Sequence, residues 1–176
     1  MLPGMEEASL FLSPLRKAPQ IRTAFIERIP GIETSHDKEA TLAPLEPTHR
    51  QAAQDLGFQK TYLAGQIHSD QLSIIDLRSP GMSPGSDGLL TRHPGILLGI
   101  HVADCGAVYL LDHETGALGL LHSGKKGTEL NITGKAIELM IREFETNPLN
   151  LTIVLGPCIR PPHYEIDFAS QIREQA

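Results

Sequence analysis

The chain has 176 residues, 40% of them hydrophobic and 20% charged, with a formal net charge of −6 at pH 7. That balance suits a globular domain with enough chain for a real core. It carries no basic block, which speaks against nucleic acid as a partner, and no apolar run long enough to span a bilayer.

The first 20 residues contain several prolines and no lasting period, so they read as an irregular lead-in or a short edge strand. Ile21 to Ile29 reads as a strand closed by the turn pair Pro30-Gly31, and Gly31 to Pro47 reads as loop. Thr48 is placed to cap a short helix, HRQAAQDL, that Gly57 ends. Phe58 to Gln66 and Leu72 to Leu77 are the next expected strands, interrupted by His68-Ser69-Asp70. Ser79 to Gly88, SPGMSPGSDG, is the richest turn segment and reads as a surface loop or flap.

Ile96 to Val102 and Ala107 to Leu111 are expected strands on either side of Asp104-Cys105. Asp112 to Gly116 is a hairpin-type turn, and Ala117 to Leu121 is the strand that leads into His122-Ser123-Gly124-Lys125-Lys126-Gly127. Thr128 is placed to cap a following helix, with Glu129 in its first turn. Leu130, Ile137, Ile141 and Phe144 fall near multiples of the helical period and predict its buried face. Asn147-Pro148 closes that helix. Leu151 to Leu155 is an expected buried strand, bent by Gly156-Pro157-Cys158, and His163 to Ile166 is expected to resume extended structure. FASQIREQ, near the end, reads as a helix.

Strands and helices alternate irregularly and hairpins occur, so the expected fold is α+β: one domain over residues 1–176, with a mixed β-sheet core flanked by helices. Neither a GxGxxG nor a P-loop pattern is present. The two cysteines, Cys105 and Cys158, are far apart in sequence and do not make a disulfide scaffold; a link between them is open but not implied. The N-terminus lacks the charged-then-apolar order of a signal peptide, and the expected location is the cytoplasm. The oligomeric state has no signature in the sequence.

Chemistry concentrates at three strand ends. His68, Cys105 and His122 each follow an apolar run, in QIH, ADC and LLH. Two imidazoles and a thiolate suit Zn²⁺. Their spacing is not a CxxC or HExxH signature, so on spacing alone a small core cysteine and two solvated histidines explain the same residues. His101 reads as facing a sheet surface and Cys158 as a small buried filler. His36, His49, His93 and His113 lie in polar or turn contexts and read as solvent-facing.

Taken together, the segments resemble a known family. Gln66-Ile67-His68, Ala103-Asp104-Cys105 and LLHSGKKG resemble the QVH, ADC and HAGWRG motifs of the laccase-domain family, also called multicopper polyphenol oxidoreductase or purine nucleoside phosphorylase. Ser86 to Thr91 resembles its DAL(V/I)T segment, and Gly156-Pro157-Cys158-Ile159 with His163-Tyr164-Glu165-Ile166 resembles its GPxI…(C/H)YEV segment. The five segments run in the family's order from about Gln66 to Asp167.

The resemblance implies that His68, Cys105 and His122 hold a zinc ion, copper being the lesser expectation. It implies catalytic roles for Cys105, Asp104 and Lys126, and substrate contacts from Lys126, His163 and Tyr164. Lys126 stands where the family has Arg and meets an anion as a point charge rather than a bidentate fork. Lys125 stands where the family has Trp, and the chain contains no Trp. The family usually continues past YEV with a Cys-Thr pair and a late aromatic-Ser-Tyr-Arg-Arg-Asp segment; a C-terminally shortened domain is expected here, because this sequence has neither.

The implied activity is phosphorolysis of adenosine, inosine or methylthioadenosine, or deamination of adenosine, with nucleoside and phosphate as the small-molecule partners. The family is also linked to editing of peptidoglycan precursors and to phenol oxidation. A binding domain without turnover is the alternative from another class, motivated by Lys125, Lys126 and the absent C-terminal motifs.

Overall fold

The computed structural model describes residues 7–32 and 37–176. The start of the lead-in and His36 lie outside them. The chain divides into two compact units, residues 1–61 and 62–176.

The first unit is helical and irregular. It has a 3-10 turn at Glu7–Leu12 and another at Leu15–Lys17. Phe11 and Phe25 meet edge to face, with ring centroids 5.4 Å apart. Residues 21–29 form no strand, and the segment expected as loop before Pro47 contains helix α1, Lys38–Leu42. Asp37 starts α1 by accepting the backbone N–H groups of Glu39 and Ala40, a carboxylate cap inside a stretch whose composition suggests only a loop. Helix α2, Glu46–Asp55, begins before Thr48, with Pro47 in its first turn and Leu45 rather than Thr48 at the N-cap. Pro in the first turn sacrifices no hydrogen bond, so the helix extends through it. Gly57 follows α2 at φ +88°, the left-handed position expected of it. His49 on α2 is half-buried rather than solvent-facing, and burial lowers its pKa.

The second unit contains two sheets. The smaller one runs in the order β3 (Met82–Ser83), β1 (Thr61–Ala64), β5 (Leu97–Gly99), with β1 and β3 parallel. The larger one runs β2 (Leu72–Ile74), β4 (Gly88–Thr91), β7 (Leu118–Ser123), β6 (Gly106–Asp112), β8 (Leu151–Leu155). β2 and β4 are parallel; the remaining pairs are antiparallel. The fold is therefore α+β with mixed sheets.

The strands from Phe58 to Gln66, Leu72 to Leu77 and Ile96 to Val102 are shorter than expected. β8 has the expected limits but is an edge strand in which only Val154 is buried. His163 to Glu165 forms a bend and Ile166 is irregular, so no strand resumes there. Ser79 to Gly88 is not simply a surface flap: it contains β3, and its last residues, Ser86, Asp87 and Gly88, are buried.

Register explains where the candidate residues gather. Gly88 pairs with Leu121, Ala107 with His122 and Gly106 with Ser123. Thus β4 and β6 begin, and β7 ends, at the same end of the sheet. β2 runs parallel to β4 and starts there too. β8 ends there, and Gly156 N–H donates to the Ala107 carbonyl at 2.8 Å. At the far end, Asp112 closes the hairpin by accepting the N–H groups of Glu114 and Thr115, with Gly116 at φ +72°.

One face of the larger sheet packs on helix α4, Ile132–Phe144, and helix α5, Phe168–Gln175. α5 matches its expected limits. Thr128 does not cap α4; it lies in a short helix α3, Lys125–Glu129, with its hydroxyl 2.7 Å from that of Ser123. Glu129 therefore sits at the end of α3, and Asn131 caps α4 through the Gly134 N–H. That shift rotates the buried face to Ile132, Thr133, Ala136, Ile137, Met140 and Phe144, and leaves Leu130 and Ile141 exposed. α4 ends at Phe144 with Glu145 left-handed, three residues before Pro148.

This face predicts a contrast between neighbouring residues. Met140→Ala, deleting a fully buried side chain, lowers the unfolding free energy in urea by about 2–5 kcal/mol. Ile141→Ala changes it by no more than about 0.5 kcal/mol.

Candidate metal centre

Each ligand-type side chain is placed by a different piece of chain. His122 is the fifth residue of β7 and is buried. Cys105 immediately precedes β6 and is half-buried. His68 is exposed, on a loop after β1 whose backbone is left-handed at both Gln66 (φ 53°) and His68 (φ 58°). The potential ligand atoms of these three residues all lie within 4.8 Å of one another. The two imidazoles stand at 87°, with centroids 4.9 Å apart.

Asp87, which the sequence reading passes over, lies directly behind the cluster and is fully buried. Its Oδ1 accepts Nδ1–H of His122 at 2.8 Å and the His68 N–H at 3.0 Å. Its Oδ2 accepts the N–H groups of Ile67 and Ser69 and the Ser69 hydroxyl, at 3.2, 2.7 and 2.8 Å. Burial raises the Asp87 pKa, but the bonds from His122 and Ser69 outweigh it, and the net shift is downward. An ionised carboxylate only accepts, so the His122 proton sits on Nδ1 and the Nε2 lone pair is left for a ligand.

Gly124 completes the cradle. A Cβ there would lie 3.0 Å from Sγ of Cys105 and 3.4 Å from Cδ2 of His68. The donor set, the fixed tautomer and the missing Cβ together fit a single metal ion. Two imidazoles and a thiolate match a zinc site of three protein ligands with one open position, or one copper ion.

The Cys105 thiol is pushed up to about 11 by burial, the adjacent Asp104 charge and a hydrogen bond to Asp104. The Asp104 side chain is exposed, and its carbonyl accepts the Ile159 N–H at 2.9 Å. Lys126 is exposed in the first turn of α3, and its ammonium pairs with no side chain among the described residues. Lys125 forms an ion pair with Glu165, which links the 163–165 segment to the start of α3. His163 is exposed and lies outside the three-residue cluster. Tyr164 stacks on Phe168 at 5.6 Å and 26°.

His101 does not lie in a strand; its backbone N–H and carbonyl both bond the Gln66 carboxamide, at 2.8 and 2.5 Å. Cys158 is half-buried rather than a buried filler, and both cysteines are free. Neither His93 nor His113 is buried.

The fold and this group define an α+β protein with a two-histidine, one-cysteine centre at the end of a mixed sheet. The family model described as multi-copper polyphenol oxidoreductase laccase matches residues 33–176, and the chain belongs to that family. It is 32% identical over 173 residues to a purine nucleoside phosphorylase of Deinococcus radiodurans, covering 91% of this chain and 67% of that protein. A purine nucleoside phosphorylase of Campylobacter jejuni is 31% identical over 143 residues, covering 78% of this chain and 61% of that protein. Among solved structures it is similar to YlmD from Geobacillus stearothermophilus, with 26% identity and a TM-score of 0.65 over 82% of this chain and 56% of that one. It is similar also to the hypothetical protein YfiH of Bacillus licheniformis, with 25% identity and a TM-score of 0.67 over 81% and 57%. The chain thus spans little more than half the length of these solved structures.

Two expectations follow. Because the Cys105 thiol keeps its proton far above neutrality, a metal ion that takes the thiolate releases it. Zinc affinity therefore rises by about tenfold per pH unit between about pH 7 and 9, as read by competition with a chromophoric chelator. Gly124 has φ −81°, a backbone that alanine adopts, so Gly124→Ala folds; its methyl group weakens zinc binding by about tenfold or more in the same titration.

Proposed function

We propose that this protein is a zinc-dependent enzyme acting on purine nucleosides, by phosphorolysis of adenosine, inosine or methylthioadenosine, by deamination of adenosine, or by both. The observation that carries the reading is the convergence of His68, Cys105 and His122 within 4.8 Å, in a family whose curated relatives bear the name purine nucleoside phosphorylase. His68, Cys105 and His122 hold the ion. When bound, zinc acts as a Lewis acid and lowers the pKa of a coordinated water toward about 7.

The chain's own residues supply the rest of the reading. Lys126, whose ammonium pairs with no side chain among the described residues, lies two residues beyond Gly124 and attracts phosphate as a point charge. Asp104, next to Cys105 and open to solvent, accepts or returns a proton at its carboxylate. Tyr164, its ring steadied on Phe168, and the exposed His163 flank the nucleoside. Cys105 belongs to this machinery as the thiolate ligand. Residues 1–176 act as one laccase-like domain in this reading, of which 33–176 match the family, and the free cysteines suit a reducing cytoplasm.

The family description names copper and phenol oxidation. Among the described residues one three-ligand group is assembled, which provides for one ion and favours the single-zinc reading over a multicopper cluster.

Metal content and nucleoside turnover of the wild type beside His68→Ala, Cys105→Ala and His122→Ala test the proposal. The expected result is about one zinc per wild-type chain, lost in each variant together with turnover. Base release that requires phosphate identifies phosphorolysis, and ammonia release identifies deamination. Full turnover in a zinc-free variant overturns the proposal, as does a folded wild type that binds zinc and turns over no purine nucleoside.

A further inference from the structure

We infer that Asp87 is a positioning residue that assembles the centre before any ion arrives, joining His68 and His122 into one preformed unit. The inference rests on reading His68, Cys105 and His122 as a metal site. Its basis is the distribution of donors around one buried carboxylate.

Oδ1 bonds both the His122 ring and the His68 backbone, so a single oxygen sets the orientation of one imidazole and the position of the other. Oδ2 gathers Ile67 and Ser69, the residues on either side of His68. The His68 loop thereby has three successive N–H groups aimed at one carboxylate. No strand ladder holds this loop, and its left-handed residues are not glycines. It is held also by the Gln66 carboxamide on the His101 backbone, by the Gln66 N–H on the Ser86 carbonyl at 2.8 Å and by the Asp70–Lys135 ion pair. Among these anchors only Asp87 also reaches the other imidazole.

The backbone of Asp87 is fixed as well. Its N–H donates to the Gln71 carbonyl at 2.8 Å, and its carbonyl accepts the His122 N–H at 2.7 Å. The carboxylate is therefore tied through its own backbone to β7 as well as to the end of the loop. Both oxygens face only donors, so an amide NH₂ at either position meets an N–H or O–H head on. Asp87→Asn is isosteric and removes that function alone.

The test is a zinc competition titration on full-length wild type, Asp87→Asn and Ser69→Ala, with ¹⁵N NMR of the metal-free histidine rings and circular dichroism of each protein. Metal-free wild type is expected to show His122 as the Nδ1–H tautomer. Asp87→Asn is expected to lose that single tautomer and to bind zinc about 10–100-fold more weakly with its circular dichroism unchanged. Zinc affinity within twofold of wild type in a folded Asp87→Asn overturns the inference. If Asp87→Asn does not fold, Ser69→Ala decides, because it leaves the carboxylate in place and removes one bond to Oδ2 together with the longer bond from the Gln71 N–H. A loss of threefold or more there supports the positioning role, and a smaller one overturns it. A wild type that binds no zinc defeats the metal-site reading instead, and the tautomer of its metal-free His122 still decides whether Asp87 orients the ring.

Discussion

Everything at the centre depends on one buried negative charge being fully used. Leaving an ionised carboxylate out of water is costly unless donors replace its solvation, and Asp87 has five. Those donors are not spare groups. They include the backbone of a loop that no strand supports and the ring nitrogen that selects the tautomer of His122. The carboxylate would be a liability without the loop, and the loop would lose four hydrogen bonds without the carboxylate. This mutual need explains why a turn-rich segment, SPGMSPGSDG, ends in buried residues rather than trailing into solvent.

Much of the centre is legible in the sequence, because its ligand-type residues sit at the ends of apolar runs. Cys105 immediately precedes β6 and His122 lies near the end of β7, and the turn at Asp112 to Gly116 makes those two strands antiparallel neighbours. His68 is harder to place from pattern alone, since the chain between β1 and β2 has no periodicity to orient it. Asp87 was not legible by the same logic: proline, glycine and serine before it signal a loop, and only the pairing of Gly88 with Leu121 shows that the loop ends inside the sheet. The signal that could have found it is the matched Ser86-to-Thr91 segment, in which Asp87 is the one ionisable side chain.

The misplaced elements have equally particular causes. Thr128 is a good capping residue by type, but its hydroxyl is committed to Ser123, and the left-handed Asn131 starts α4 instead. Apolar periodicity alone could not separate Leu130 and Ile141 from Met140, because a helix face is defined by what packs on it. In the first unit, Ile21 to Ile29 has strand-like composition but no partner strand among the described residues, and β propensity without a ladder does not make a strand. The caps of α1 and α2, by contrast, follow rules that composition hides: a carboxylate at Asp37 and a proline admitted into a first turn.

The hairpin at Asp112 to Gly116 has a consequence for how this sequence can vary. It lies at the opposite end of β6 from Cys105, about 20 Å away at the usual rise of a strand. Surface turns ordinarily accept an inserted residue with little harm. Here the turn sets which residue of β6 faces which residue of β7, and a shift of one place reverses the direction in which every side chain points. Lengthening the turn by a single residue, if the strands followed it, would carry the thiol from the side of Gly124 and His122 to the other face of the sheet. The hairpin is thus a remote ruler for the centre: it lies at the far end of the sheet, yet its length sets where Cys105 stands against His122.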